Sequence, residues 1–138
     1  MKHYEIIDHT ADVGIRAFGK DLSELFRNAA VGMFELMADL DSVHPTQSQA
    51  LSLAAEGVED LYILWHQELL YRSSVDRCLY KEFSFEAISE KNLKSVIRGE
   101  PFHPKTQTLK KEVKAATYHG LKVARTKDGW MGEVIFDI

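Results

Sequence analysis

The sequence predicts an α+β domain, two helices packed with predominantly antiparallel sheet. Two observations carry this. Apolar residues recur at helical spacing in two stretches, one from residue 22 to near Asp39 and one from 58 to about Arg72, while the other ordered stretches alternate with period two. The order then reads strand, strand, helix, strand, helix and about five strands, a segregated pattern without the regular strand–helix repeat of a parallel sheet. No internal repeat or low-complexity linker divides the 138 residues, so 1–138 is read as one domain with room for its own core.

Residues 4–7 read as a short first strand. The stretch that follows, Asp8-His9-Thr10-Ala11-Asp12, brings an imidazole, a hydroxyl and two carboxylates together and runs straight into a second strand over 13–18. Val13, Ile15 and Ala17 alternate there with Gly14, Arg16 and Phe18, so the two sets face opposite sides of a sheet. Asp12 stands where loop becomes strand, a position at which a scaffold holds a polar side chain still. Gly14 and Gly19 permit close backbone approach or unusual φ. Asp8, His9 and Asp12 are equally suited to capping a turn and accepting backbone N–H bonds.

Asp21 and Glu24 form a capping-box-like start to the first helix, with Glu24 reaching back. Leu22, Leu25, Phe26, Ala29, Ala30, Met33 and Met37 make its single apolar stripe. Residues 43–46 form a turn, because the residue before Pro45 leaves the α region, and His44 belongs to that loop. A weakly alternating third strand spans 49–55. In the second helix Glu59 and Asp60 favour the positive end of the dipole. Leu61, Tyr62, Leu64, Trp65, Leu69, Leu70 and Tyr71 occupy more than one stripe, which predicts burial on more than one side; His66 is a packing residue.

After Ser73-Ser74 the period becomes two. Leu79, Phe83, Phe85 and Ala87 share one strand face, and Leu93, Ser95 and Ile97 share the next, with a hairpin link over 89–92. Residues 98–104 are predicted as a loop, since Pro101 and Pro104 keep them out of a central strand. Strands over 113–118, 121–125 and 130–136 complete a meander, with turns at His119-Gly120 and Lys127-Asp128-Gly129.

Formal net charge is −4, which argues against wholesale coating of a nucleic acid. Lys105, Lys110, Lys111 and Lys114 are the local exception: a solvated loop face, or a contact for a phosphate backbone or an acidic partner. No apolar run is long enough for a membrane span, and strand pattern begins at Tyr4 without a signal-peptide stretch. One cysteine, Cys78, excludes an internal disulfide and a Cys-rich zinc site; it reads as packing, in a reducing, cytoplasmic setting.

The familiar catalytic motifs are absent: no P-loop, no G-x-G-x-x-G, no H-E-x-x-H and no nucleophile elbow. No residue is assigned a catalytic role. Asp137 and the α-carboxylate of Ile138 are adjacent anions, and with Asp12 they make an all-oxygen set suited to Ca²⁺ or Mg²⁺ rather than zinc. Spacing alone does not show that residues 12 and 137 meet, and a frayed terminus is the plain alternative. His9 and His119 are the candidate supporting residues. His119, after Thr117-Tyr118, can orient or bind a metal or shuttle a proton, or it can simply bond backbone in a turn.

Four segments in register resemble the archease family. His9-Thr10-Ala11-Asp12-Val13-Gly14 is similar to its opening, and Glu59-Asp60-Leu61, Trp65 and Glu68-Leu69-Leu70 to its second helix. Lys114-Ala115-Ala116-Thr117-Tyr118-His119-Gly120-Leu121 resembles its lysine-to-histidine segment, with Ala116 in place of an expected Val. Trp130 and Val134-Ile135-Phe136-Asp137-Ile138 resemble its C-terminus. The resemblance covers essentially the whole chain. It implies an α+β fold and a non-enzymatic protein cofactor of the metal- and GTP-dependent RNA ligase that seals tRNA halves after intron removal. Archeases promote guanylylation of that ligase's active-site histidine and so sustain multiple turnover. Also implied are a divalent cation, Ca or Mg, on Asp12, Asp137 and Ile138, contact with RNA only through the ligase, and no membrane. The alternatives are a chaperone-like modulator of other RNA-modifying enzymes and, third, a small metal-dependent hydrolase using Asp12, Asp137 and His119.

Overall fold

A computed structural model describes residues 3–8 and 12–138, so His9, Thr10 and Ala11 lie outside the described residues. The chain forms β1 (Tyr4–Asp8), β2 (Asp12–Gly19), α1 (Leu22–Met37), β3 (Gln47–Ala54) and α2 (Val58–Asp76). There follow β4 (Cys78–Ile88), β5 (Asn92–Pro101), β6 (Ala115–Thr126) and β7 (Gly129–Asp137). All strand pairs are antiparallel, in two sheets of order β1-β2-β7-β6 and β3-β5-β4. Both helices are held between the sheets: α1 packs on β2 and β4, α2 on β6 and β4. The α+β class read from the sequence is the observed one.

The core follows from the alternation and the stripe. Val13, Ile15 and Ala17 of β2 are fully buried against the α1 side chains Leu25, Phe26, Ala29 and Met33. Phe26 meets Tyr62 edge-on at 5.2 Å, and Trp65 Nε1 donates to the Phe26 carbonyl at 3.1 Å, locking α1 to α2. Asp21 caps α1 by accepting from the Glu24 N–H at 2.9 Å, while Glu24 accepts from the Lys20 N–H at 3.3 Å. Gly19 is needed because a Cβ there would lie 2.3 Å from the Leu25 nitrogen, where the first turn of α1 sits on the end of β2. Gly14 has no such requirement, its Cβ meeting ordinary contacts at 3.5 Å.

Several boundaries differ from the sequence reading, each for a tertiary reason. α2 does not stop at Arg72: the Ser73 hydroxyl donates to the Cys78 carbonyl at 2.6 Å, and the helix ends where Arg77 turns left-handed at φ 51°. As its several apolar stripes predict, α2 is buried on more than one side, against α1 and both sheets, while Tyr71 and Val75 stay 65% and 62% exposed. β5 is a central strand despite the prolines. Pro101 is its last residue, so the missing N–H falls at the end of the ladder, and only Pro104 lies in the loop beyond. The expected turn at His119-Gly120 is a bulge inside one strand: the β6–β7 register jumps from Thr117–Ile135 to Lys122–Glu133, and Gly120 has φ +60°. Four strands therefore follow α2, not five. A second irregularity between Phe85 and Ala87 leaves Ala87 exposed and turns Ile88 partly inward.

Candidate functional site

The start of β2 and the end of β7 meet at one end of the four-stranded sheet. Their register is Asp12–Asp137, Val13–Phe136, Gly14–Ile135, Ile15–Val134. Val13, Ile15, Val134 and Phe136 are all fully buried, and a one-residue slip would turn every one of them to solvent. Burial of the apolar face thus forces Asp12 opposite Asp137, 125 residues further along the chain. Asp12 is half-buried, with Oδ1 itself buried; Asp137 is exposed.

β7 is an inner strand, so Asp137 is held from both sides: opposite it on β6 stands Ala115, and the Lys114 N–H donates to the Asp137 carbonyl at 2.8 Å. The frayed end weighed from the sequence does not describe this residue. Ile138 follows directly, 36% exposed. Two carboxylates directly opposite on neighbouring strands repel when both are ionised. A hard cation relieves that repulsion, and the donors here are oxygens, as Ca²⁺ or Mg²⁺ requires. Among the described residues no group of three or more His, Cys, Asp or Glu side chains stands together as a ligand set. The aspartate pair by itself supplies two carboxylates, short of a complete ligand set.

The other polar residues are placed apart from this pair. His119 is exposed in the β6 bulge, its N–H donating to Thr117 Oγ1 at 3.3 Å, and Thr117 in turn donates to the Ile135 carbonyl. Asp137 faces Ala115, so His119 lies on the order of 10 Å further along the strand at normal strand rise. His9 is outside the described residues. His66 is fully buried: Nδ1 lies 2.8 Å from the Tyr62 carbonyl and must carry the proton, while among the described residues Nε2 has no hydrogen-bond partner. Burial pushes its pKa down to about 4, although the Tyr62 and Ala29 carbonyls favour the charged ring. It is core, as its sequence setting predicts.

Two features escaped the sequence reading. Arg16 donates from Nη1 to Glu5 at 2.6 Å and from Nε to Glu133, a ladder across β1, β2 and β7 on the outer sheet face. Alternation along β2 places Arg16 on that face, but its partners become visible only with the strand order. The second is a groove of about 930 Å³ between α2 and residues 102–114, onto which three of the four clustered lysines open.

A family model for the archease protein family matches residues 4–138. A protein archease of Methanosarcina acetivorans is 36% identical over 141 aligned positions, covering 99% of this chain and 97% of that relative. One from Sulfurisphaera tokodaii is 35% identical over 140 positions, with 100% of each covered. The solution structure of a Methanobacterium thermoautotrophicum protein superposes with TM-score 0.86 at 30% identity, covering 100% of both chains. A Thermotoga maritima crystal structure, described as an archease and possible chaperone, has TM-score 0.65 at 23% identity over 96% of this chain and 94% of that one, a likeness of fold.

Proposed function

The chain belongs to the archease family, and from that premise we propose that it is a non-enzymatic protein cofactor of the GTP-dependent RNA ligase that seals tRNA halves. In this reading it promotes guanylylation of the ligase's active-site histidine and keeps the ligase turning over. The observation that supports it is the cross-strand register of Asp12 with Asp137 at the end of an inner strand. A rigid acidic tip of this kind suits a partner's nucleotide pocket better than a catalytic centre of its own. His119 stands away from the tip, which leaves a hydrolase without the third of its three residues.

Asp12, Asp137 and Ile138 would hold the divalent cation. When bound, such an ion supplies neutralisation of triphosphate charge. The chain's own contribution is positional. Buried Val13 and Phe136 fix the aspartates side by side, and the Lys114 N–H fixes the backbone at Asp137. The register fixes their backbones side by side, so the tip stays pre-organised for a cation.

The test is ligase guanylylation under limiting ligase, with and without this protein. Sub-stoichiometric protein should raise repeated turnover, and Asp12→Ala or Asp137→Ala should remove the effect. An ion that serves only to pin the chain end predicts something different, namely loss of activation together with a drop in thermal stability. No stimulation of the cognate ligase by the wild-type chain would overturn the reading, and suppression of aggregation of unrelated clients would favour the chaperone alternative instead.

A further inference from the structure

We propose that the groove between α2 and residues 102–114 is a docking site for an acidic, amphipathic peptide segment of a partner protein. The groove holds about 930 Å³, room for several side chains. Leu70, Leu79, Phe102, Leu109 and Val113 give it an apolar lining. Tyr71 and Leu109 stand at its mouth, 65% and 55% exposed, and Val75 continues the uncovered apolar side of α2. A helix side of this kind, apolar but unburied, is a surface that a partner can bury.

Charge selects the partner. The lining contains Arg77, Lys110, Lys111 and Lys114 against one carboxylate, Glu112, in a chain whose net charge is −4. Arg77, Lys111 and Lys114 make no ion pair among the described residues. A positive rim around an apolar floor complements acidic residues interspersed with apolar anchors. It does not suit single-stranded nucleic acid, for which stacking platforms are needed: Tyr71 is the one well-exposed aromatic of the lining. A second copy of the chain, itself net negative, is a poorer electrostatic match.

The loop wall is already built. Lys110 N–H donates to the Met37 carbonyl at 2.8 Å, and Leu109 bridges Ala38. Upstream, buried Gln107 donates to Glu100 at 2.6 Å and to the Ser42 carbonyl at 3.3 Å. A ligand therefore meets a formed groove and does not bear the entropy of ordering it. At its far end the wall reaches Lys114, whose N–H bonds the Asp137 carbonyl, so a segment bound here lies alongside the acidic tip.

The test is fluorescence anisotropy with the full chain and three labelled probes. One is a peptide of about 15 residues with leucines at i, i+3/i+4 and i+7 and glutamates between them; another is its lysine counterpart; the third is an oligouridylate of about the same length. The glutamate peptide should bind at least about tenfold more tightly than either other probe. Lys111→Glu with Lys114→Glu, and separately Tyr71→Ser, should each weaken it about tenfold. All three side chains are exposed, so thermal melting should not change. Absent binding of the glutamate peptide, or equal binding by both variants, overturns the proposal. Preferred binding of the oligouridylate that the double charge reversal abolishes makes the groove a nucleic-acid face and overturns it too. Self-association that Tyr71→Ser removes would assign the groove to a second copy and overturn it likewise.

Discussion

At the scale of single residues, Asp12 and His66 do opposite things with buried polarity. Asp12 is held beside Asp137 by strand register, and the repulsion between two carboxylates so placed is a cost that a cation can offset. We expect Ca²⁺ or Mg²⁺ at a hundredfold excess over its Kd to stabilise the wild-type fold by about 2.7 kcal/mol, read as a rise in Tm, and Asp12→Asn or Asp137→Asn to abolish that rise. An unchanged metal response in both variants would remove these residues from the site. His66 is kept neutral instead, its pKa lowered from 6.5 to about 4 by burial. Because the folded state holds the proton less tightly than the unfolded state, its contribution is intact above pH 6.5 and is lost as pH falls toward 4. The loss amounts to about 3 kcal/mol at full extent. Urea unfolding between pH 7 and pH 4.5 should show a shallower decline in His66→Phe than in wild type, and equal declines would refute the assignment.

Elements are decided by where backbones come close and where their ends are closed. A Cβ on Gly99 would lie 1.9 Å from the Leu79 carbonyl on the neighbouring strand, an atom that cannot swing aside. Gly99→Ala should therefore spread β4 from β5 and destabilise the chain by about 3 kcal/mol or more in urea unfolding. Gly57 is the contrasting case, for nothing lies within 4 Å of its Cβ position and α2 starts there without a side-chain cap bond. Gly57→Ser adds a hydroxyl acceptor for the first-turn N–H groups and should raise stability by a few tenths of a kcal/mol. A loss of stability in Gly57→Ser would show that the glycine itself is required at the helix start.

The whole molecule carries a net charge of −4 while its clustered lysines line one groove. A chain of this balance should bind RNA only weakly by itself. Filter binding of tRNA at about 150 mM salt should give a Kd in the micromolar range or weaker, with tight binding counting against the cofactor reading. No helix of the described residues is long and apolar enough to cross a membrane. The two sheets clamp both helices between them, so the acidic tip and the groove are surfaces of one packed core joined at Lys114 and Asp137.

Much of this was legible in the linear chain. The Val13-Ile15-Ala17 alternation, the stripe of α1, its Asp21–Glu24 cap and the Lys127-Asp128-Gly129 turn are set by geometry local to a few residues, and each is found where its pattern puts it. Asp12 and Asp137 stand out there too, as carboxylates at the start of one strand and the end of another. What the linear pattern could not decide was continuity and meeting. Ser73-Ser74 resembles a break until Cys78 supplies a partner for the Ser73 hydroxyl, and Gly120 resembles a turn until β7 pairs on either side of it. Pro101 ends a central strand because its neighbour on β4 is also beginning there. The opposition of Asp12 and Asp137 and the groove under α2 are decided by tertiary structure alone. Local periodicity follows from the backbone's own repeat, whereas register between distant strands follows from which apolar faces are buried together.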